Sequence, residues 1–514
     1  LLIRLPPSST LFPSTTLFRS QALLAIGASM TSFAATGWAE EDGTWVYYNR
    51  DGERATDQWK KSGNNWYWLD SDGEMAIDQL IEDGDNYYYV DINGVMAANQ
   101  WVAIDNEDAG QDDEPDHYWY YFQANGKALT QGDNDKVSLK TVNGKKYAFD
   151  DEGRMLFGWV DEDSAERVDD TDGDGFKEGT YYFGGEDDGA MTVGWLQLDV
   201  TYDEATNDDY KYTAPVFNDD EDQTRWFYFK SNGKKIYAED GDRTKDKTIN
   251  GKKYAFDEYG AMVAEWSIDE DDLPGGSVAS FSSAIATSSD VIVGKAADSK
   301  YSEAWKYFNS VDDGARVSKG WFKVVPAEYL NDEKYNDDED YWYYADGSGN
   351  LYAGEFKTIK GKKYAFRNDG RMIDGLKFIY EDKDAQSLTV WADDDDPYRF
   401  DSEDDFDDNA PLYEAAGYYC YYFGDGDDGA MRTNKSTVEI DGENFNFYFE
   451  KSGGKKGAGL TGEKDDKFYQ SGKLLKADSD DKYSVVQRQL VKRPDRKSTR
   501  LNSSHPSISY AVFC

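Results

Sequence analysis

An aromatic position returns every 21 residues near the start of this chain. Trp38, Trp59, Leu80 and Trp101 are each 21 residues apart, with one leucine among three tryptophans. Trp45, Trp66 and Tyr87 keep the same spacing, as do the pairs Asp51-Gly52, Asp72-Gly73 and Asn93-Gly94. A short fixed period means that one small structural unit is repeated. Each unit reads as an aromatic, a polar Gly-bearing link, a Trp/Tyr-rich strand such as Trp45–Asn49 or Trp66–Asp70, an Asp-Gly or Asn-Gly turn, and a short return segment with Met or Ala. Asp-Gly and Asn-Gly supply the positive φ values of a two-residue hairpin turn. Each unit is therefore predicted to be a β-hairpin of about twenty residues. A lone hairpin is marginal in water, and stacking buries the aromatic face of one on the next. The expected fold is all-β, a solenoid of stacked β-hairpins with acidic loop insertions.

A longer period lies on top. NGKKYAF occurs at Asn143–Phe149 and Asn250–Phe256, and GKKYAF returns at Gly361–Phe366, at spacings of 107 and 110. YYFG-x-x-DDGAM occurs at Tyr181–Met191 and Tyr421–Met431. Repeat arrays are expected over 37–270 and 301–476, separated by an irregular Gly/Ser/Ala-rich break at 271–300 and followed by a terminal segment at 477–494. The acidic insertions Asn106–Asp116, Asp161–Gly179, Asp203–Arg225 and Asp393–Asp408 read as extended hairpin tips or solvated loops.

The two ends differ from the interior. DRKSTRLNSSH (Asp495–His505) and ISYAVFC (Ile508–Cys514) read as a frame translation of a sequencing adapter, so 495–514 is taken as an artefact. Residues 1–20, without a single acid, resemble the opposite adapter. Ala22–Ala34 is apolar and ends in Ser32-Phe33-Ala34, a small-x-Ala cleavage pattern. Residues 21–34 are therefore expected to be a truncated signal peptide of a secreted protein, too short to span a bilayer.

Composition narrows the function. The chain has 56 Lys+Arg against 102 Asp+Glu, a formal net charge of −46. A phosphate backbone would be repelled, which excludes a nucleic-acid binder working by phosphate neutralisation. Aromatics make up 16%, too many for a disordered acidic tail. Two Cys exclude a disulfide scaffold, and two His leave little for zinc or His-based catalysis. No carboxylate pair stands out for glycoside hydrolysis among so many acids, so no enzyme activity is assigned. His117 reads as a surface residue and Cys420 as a small hydrophobe within a strand. Asp170, Asp172 and Asp174, with Gly175, resemble the start of a calcium loop, but Tyr181 stands where the closing Glu is required. An acidic hairpin tip is the preferred reading there, and no cofactor is expected.

The unit Gly37-Trp38, Gly43, Trp45, Tyr47-Tyr48, Asp51-Gly52, then Trp59, resembles the cell-wall-binding repeat family, which includes the choline-binding repeats of Gram-positive surface proteins and the glucan-binding repeats of glucosyltransferases. The resemblance covers nearly all of Gly37 to Lys476 and is strongest in the first three units. It implies a secreted, cell-wall-associated protein that binds envelope glycopolymer, choline or glucan without covalent attachment or membrane insertion. It also implies ligand cages of two Trp and a Tyr between consecutive hairpins, one aromatic from a strand and one from the Gly-Trp position of the next unit. Carried over, Trp45, Trp59 and Trp66 or Tyr67 line a first cage, with Trp38 at the edge of the stack. Tyr87 and Trp101 contribute to a third. Leu80 departs from the family's Trp at the second, and Leu376 does so later. Trp159, Trp195, Trp266 and Trp321 keep the Trp behind long insertions. Many relatives pair such repeats with a wall-lytic catalytic domain, so a lost domain beyond Pro494 is one alternative, and a structural stalk with degenerate sites is another.

Overall fold

The structure is a computed structural model. It describes residues 36–476 except 112–113, 133–134, 202–222, 240–241, 243, 270–298, 329, 392–399, 401 and 425, together with 483–488 and 508–513. The signal-like segment 21–34, the end at 1–20 and most of the break at 271–300 lie outside the described residues.

The chain is a linear succession of antiparallel hairpins. Gly37–Glu41 pairs with Thr44–Tyr48, placing Trp38 opposite Tyr47 and Glu40 opposite Trp45. The same register recurs in Gln58–Ser62 with Asn65–Leu69, where Trp59 faces Trp68 and Lys61 faces Trp66. It recurs again in Gln79–Asp83 with Asn86–Val90 and in Gln100–Asp105 with His117–Phe122. Later hairpins, such as Gly194–Val200 with Gln223–Phe229 and Gly320–Val324 with Tyr341–Ala345, keep the Gly-Trp pair opposite the second strand's aromatics. Near the C-terminal end the pattern widens. Leu376–Asp382 pairs on both edges, and Asn434–Ile440, Glu443–Phe449, Lys473–Leu474, Lys467–Gln470 and Gly462–Lys464 form a five-stranded sheet. Tyr483–Arg488 pairs with Ile508–Phe513.

The pairs Asp51-Gly52, Asp72-Gly73 and Asn93-Gly94 are not the hairpin turns, which corrects the reading of the unit. Hairpin turns lie at Asp42-Gly43, Asn143-Gly144, Asn250-Gly251, Lys360-Gly361 and Asp441-Gly442, where both residues take positive φ, for example 51° and 88° at Asp42-Gly43, and at Gly63-Asn64 and Gly84-Asp85, where the glycine alone does. That is the primed turn whose twist matches antiparallel strands. Asp51-Gly52, Asp72-Gly73 and Asn93-Gly94 instead close the loop after the second strand. Gly73 N–H donates to the Asp70 carbonyl at 3.0 Å, and the Asp70 carboxylate accepts from the N–H groups of Asp72 and Glu74. Asp91, Asp150, Asp257 and Asp346 cap their loops in the same way. Short polar side chains that bond their own backbone favour this geometry.

The loop delivers the return segment to two hairpins at once. Ala76 N–H bonds the Trp68 carbonyl of its own hairpin (3.0 Å), while Met75 N–H bonds the Trp45 carbonyl of the preceding one (2.8 Å). The second contact repeats along the stack: Met96 to Trp66, Ala128 to Tyr87, Met155 to Trp119, Met191 to Lys146, Met262 to Trp226, Met372 to Trp342 and Met431 to Lys363, at 2.7–2.9 Å. A backbone donor leaving one hairpin thus finds its acceptor on the previous one, which fixes the solenoid step. Between these bonds lie small apolar clusters, such as Trp68, Ala76, Ile81 and Val90 with Trp59 and Tyr88.

One insertion folds differently from the loop expected. Part of Asp393–Asp408 belongs to an α-helix, Glu403–Ala415, capped by the Ser402 hydroxyl, which accepts from Asp405 N–H. Its Phe406, Ala410 and Tyr413 are buried against Phe378 and Phe447. The acids of this segment fill one helix face, and the three apolar residues at helical spacing fill the other. Two short helices, Ser299–Glu303 and Asp332–Asn336, lie between strands in the second half. Among the described residues, no helix is long and apolar enough to cross a membrane.

Candidate functional site

The register dictates where rings meet. A Gly-Trp tryptophan and its cross-strand partner share one hairpin face, and the next hairpin presents a ring to that face. Trp38 lies 5.4 Å from Tyr47 of its own hairpin and 5.2 Å from Tyr67 of the next, both edge-on. Trp59 repeats this with Trp68 (5.3 Å) and Tyr88 (5.0 Å). The junction therefore runs opposite to the expected direction: the Gly-Trp ring of one unit meets the strand ring of the following unit. Trp38, in the first described hairpin, is the first member of this series. Trp45 and Trp66 sit on the neighbouring strand position, and their carbonyls carry the inter-hairpin bonds to Met75 and Met96. Trp66 is 40% exposed, with the Lys61 ammonium 5.7 Å over its ring. Tyr67 is buried against Trp38. At the second position, Leu80 and Tyr87 pack against the buried Tyr120 and Phe122.

Three larger boxes follow at the long period, with nearly superimposable ring geometry. Trp101 lies 5.2 Å from Tyr121, 4.9 Å from Tyr147 and 5.8 Å from Phe149. Trp195 lies 5.1 Å from Tyr228, 4.8 Å from Tyr254 and 5.7 Å from Phe256. Trp321 lies 5.1 Å from Tyr344, 4.8 Å from Tyr364 and 5.7 Å from Phe366. Each box also has a strand tryptophan, Trp119, Trp226 or Trp342, with Trp226 and Trp342 at 6.2 and 6.3 Å from the central ring. Burial raises the phenol pKa of Tyr147, Tyr254 and Tyr364, so each stays a neutral ring. Trp119, Trp226 and Trp342 were missed as site residues, as were the three tyrosines. The long-period GKKYAF motif holds the tyrosines, and its recurrence was the signal available.

Two expected ligand contacts are instead core. Trp159 is 2% exposed, enclosed by Tyr182, Phe227 and Phe229 with the Lys235 ammonium over its ring. Trp266 is 5% exposed among Trp305, Tyr307, Phe322 and Tyr343, and its Nε1 donates to the Val325 carbonyl at 2.8 Å. Asp170 turns onto its own loop, its Oδ1 accepting from Gly175 N–H at 2.8 Å. Among the described residues, no group of three or more His, Cys, Asp or Glu is arranged to hold a metal ion.

Chemically, the partly open junctions present π faces inside an acidic surface. Such faces attract ammonium ions by about 0.5–2 kcal/mol each, depending on desolvation. The surrounding carboxylates raise the local concentration of cations. Pyranose faces can also stack on exposed rings.

The choline-binding repeat model matches residues 35–76 and 55–101, the units in which the Trp38–Tyr67 and Trp59–Tyr88 junctions lie. No curated protein matches the chain. Among solved structures, the chain is similar to the modular autolysin LytC from Streptococcus pneumoniae at 19% identity, over 67% of this chain and 54% of that one, with a TM-score of 0.32. This chain thus spans about half the length of that autolysin. It is similar to the choline-binding domain of Spr1274 from S. pneumoniae at 32% identity, over 18% of this chain and 95% of that domain, with a TM-score of 0.14. Choline-binding protein F of S. pneumoniae is 16% identical over 87% of this chain and all of that one, with a TM-score of 0.23.

Proposed function

From the premise that this chain belongs to the choline-binding repeat family, we propose that it is exported and attaches non-covalently to the cell wall by binding choline groups of envelope glycopolymer at its inter-hairpin aromatic junctions. The observation that carries the reading is a coincidence of place. In the residues matched by the family model, the Trp38 ring lies edge-on to Tyr67 and the Trp59 ring lies tilted against Tyr88, in each case a strand tyrosine of the following hairpin. A quaternary ammonium carries charge without N–H donors, so a ring face supplies the attraction that hydrogen-bond acceptors cannot. The acidic surface favours such cations and opposes uncapped anionic polymer. Individually weak junctions on one stack gain from one another, because a polymer held at one is presented at high effective concentration to the rest.

The test is retention of the full chain on choline-bearing cell walls, with choline-free walls and α-glucan as parallel matrices. Retention on the choline-bearing walls alone, reversed by free choline, is the expected result. Retention on α-glucan that free choline fails to reverse would replace choline with a sugar as the ligand. A chain that passes through all three matrices would remove the wall-binding reading.

A further inference from the structure

The helix Glu403–Ala415 brings two carboxylates to one buried lysine. Glu403 and Asp407 stand one turn apart, so they share a helix face. Lys473 lies on the short strand Lys473–Leu474, in the middle of the five-stranded sheet. Its backbone is held from both sides, opposite Phe447 on one and Gln470 on the other. Its side chain is only 2% exposed. The ammonium lies 5.0 Å over the Phe445 ring and 5.9 Å over the Phe406 ring. From there Nζ donates to both carboxylate oxygens of Asp407, each at 2.8 Å, and lies 2.5 Å from Glu403 Oε1.

This trio is held more firmly than a surface ion pair. A second set of bonds fastens the same helix to the same part of the sheet. Glu414 Oε2 accepts from Thr461 Oγ1 (2.7 Å), Gln470 Nε2 (2.9 Å) and Ser471 Oγ (3.1 Å). Asp407 and Glu414 are two turns apart, so the helix cannot slide along the sheet without breaking both attachments. Phe406, Ala410 and Tyr413 fill the space beneath. The amine is thereby pressed against a carboxyl group instead of sampling it from a loose stem. A nitrogen equidistant from both oxygens of one carboxylate stands within roughly 3–3.5 Å of the carbon between them, the range of a near-attack contact. Burial raises the Asp407 carboxyl above the usual carboxylate range, against the hydrogen bond from Lys473. The Asp407 and Glu403 side chains remain 42% and 49% exposed, so a released water has a way out.

We propose that Lys473 and Asp407 join in an intramolecular isopeptide bond, with Glu403 as the proton relay. Within the ion pair, one proton passes from Nζ to Asp407 by way of the Glu403 carboxylate, which leaves a neutral amine beside a neutral carboxylic acid. The Nζ lone pair then attacks Asp407 Cγ and forms the C–N bond. Glu403 takes a second proton from the nitrogen and delivers it to the departing hydroxyl. The C–O bond breaks, water leaves and the carbonyl re-forms. Ammonium and carboxylate become amide and water, and Glu403 ends as the carboxylate it began as, so no oxidant, reductant or co-reactant enters. Solenoid units hold only their neighbours. A cross-link between residues 66 apart restricts the unfolded chain and stabilises this section of the stack. The proposal stands on this trio and is independent of what the aromatic junctions bind.

The test is tandem mass spectrometry of the full chain after denaturation and proteolysis, beside Lys473→Arg and Glu403→Gln. Arginine keeps a positive charge for Asp407, but its guanidinium stays protonated and cannot form the amide. The unaltered chain should yield a branched peptide joining the segments that hold Asp407 and Lys473, lighter by one water than its two arms together. Both variants should yield linear peptides only. In freshly refolded chain the branched peptide should accumulate at a first-order rate that does not change with protein concentration. Linear peptides alone from the unaltered chain, after long incubation at neutral pH, would overturn the proposal whatever the variants do. A rate that rises with protein concentration would make the link intermolecular and overturn it too. An undiminished rate in Glu403→Gln would overturn the relay. Choline-reversible retention on walls should be the same for Lys473→Arg as for the unaltered chain, so this proposal and the wall-binding reading fail separately.

Discussion

At the scale of single residues, the same amino acid serves two purposes, and burial separates them. Trp159 is closed within a ring cluster, whereas Trp66 is 40% exposed with only a lysine over its face. Trp159→Ala should cost about 3–5 kcal/mol by denaturant unfolding, as for a large buried aromatic, and Trp66→Ala less than about 1 kcal/mol. Sequence alone could not divide them, because two of the rings enclosing Trp159, Phe227 and Phe229, come from the following hairpin, beyond a long insertion. A second residue-scale case is Lys235, which holds the backbone position Met191 holds in the preceding unit, donating from its N–H to the Thr180 carbonyl. Its ammonium is buried, bonds the Phe176 carbonyl and lies over Trp159. Burial pushes its pKa down to about 7 and that of buried Asp257 up to about 7, against the N–H bonds from Ala261 and Tyr259. Between about pH 4 and 7, folded Asp257 holds a proton that the unfolded chain has lost, so its contribution to stability declines as pH rises through that window. Asp257→Asn, which can still cap the loop, should remove that slope in thermal melts taken across pH. Lys235→Met should destabilise by leaving the buried Phe176 carbonyl without that donor, an outcome read by denaturant unfolding.

At the scale of elements, the hairpin was legible and its boundaries were not. The aromatic strands and their period emerge directly from Trp45, Trp66 and Tyr87. The Asp-Gly pairs drew the eye to the wrong turn, because a positive-φ glycine is common to the primed hairpin turn and to the capped loop that follows. What distinguishes them is the aspartate three residues before the glycine, as in Asp70 before Gly73, whose carboxylate gathers the loop's N–H groups. The helix at Glu403–Ala415 was hidden within a run of acids, since its buried face is carried by only Phe406, Ala410 and Tyr413. The loops also have a steric requirement that the sequence shows only as Gly-Ala-Met. At Gly189 (φ 53°) and Gly429 (φ 57°), a Cβ would overlap the sulfur of Met155 and of Met372. Gly429→Ala should lower the melting temperature through both the left-handed backbone and the overlap. Adding Met372→Ala should relieve the overlap but not the backbone strain, so the double variant should remain below additivity in a stability cycle.

At the scale of the whole molecule, the repeat and the all-β class follow from spacing that any reader of the sequence can count. Which rings face one another does not, because the junction partner is set by the solenoid step, and that step is made by backbone bonds such as Met96 to Trp66. The long-period motifs gain meaning only in three dimensions, where GKKYAF supplies the second ring of each box and the Asp-Asp-Gly loop reaches back over it. A chain of net charge −46 also repels itself. Raising ionic strength from about 0.01 M to 0.15 M should therefore raise the melting temperature, since the Debye length falls from roughly 30 Å to 8 Å. The central claim is that the junctions recognise a positive quaternary group by its charge. Its most direct test is scanning calorimetry of the full chain with choline beside its uncharged isostere 3,3-dimethylbutanol. A ligand that binds only the folded stack at 100 times its dissociation constant adds about 2.7 kcal/mol per site. Choline should raise the melting temperature in a saturable way while the isostere leaves it nearly unchanged. An equal rise with both, or none with choline, would contradict the account.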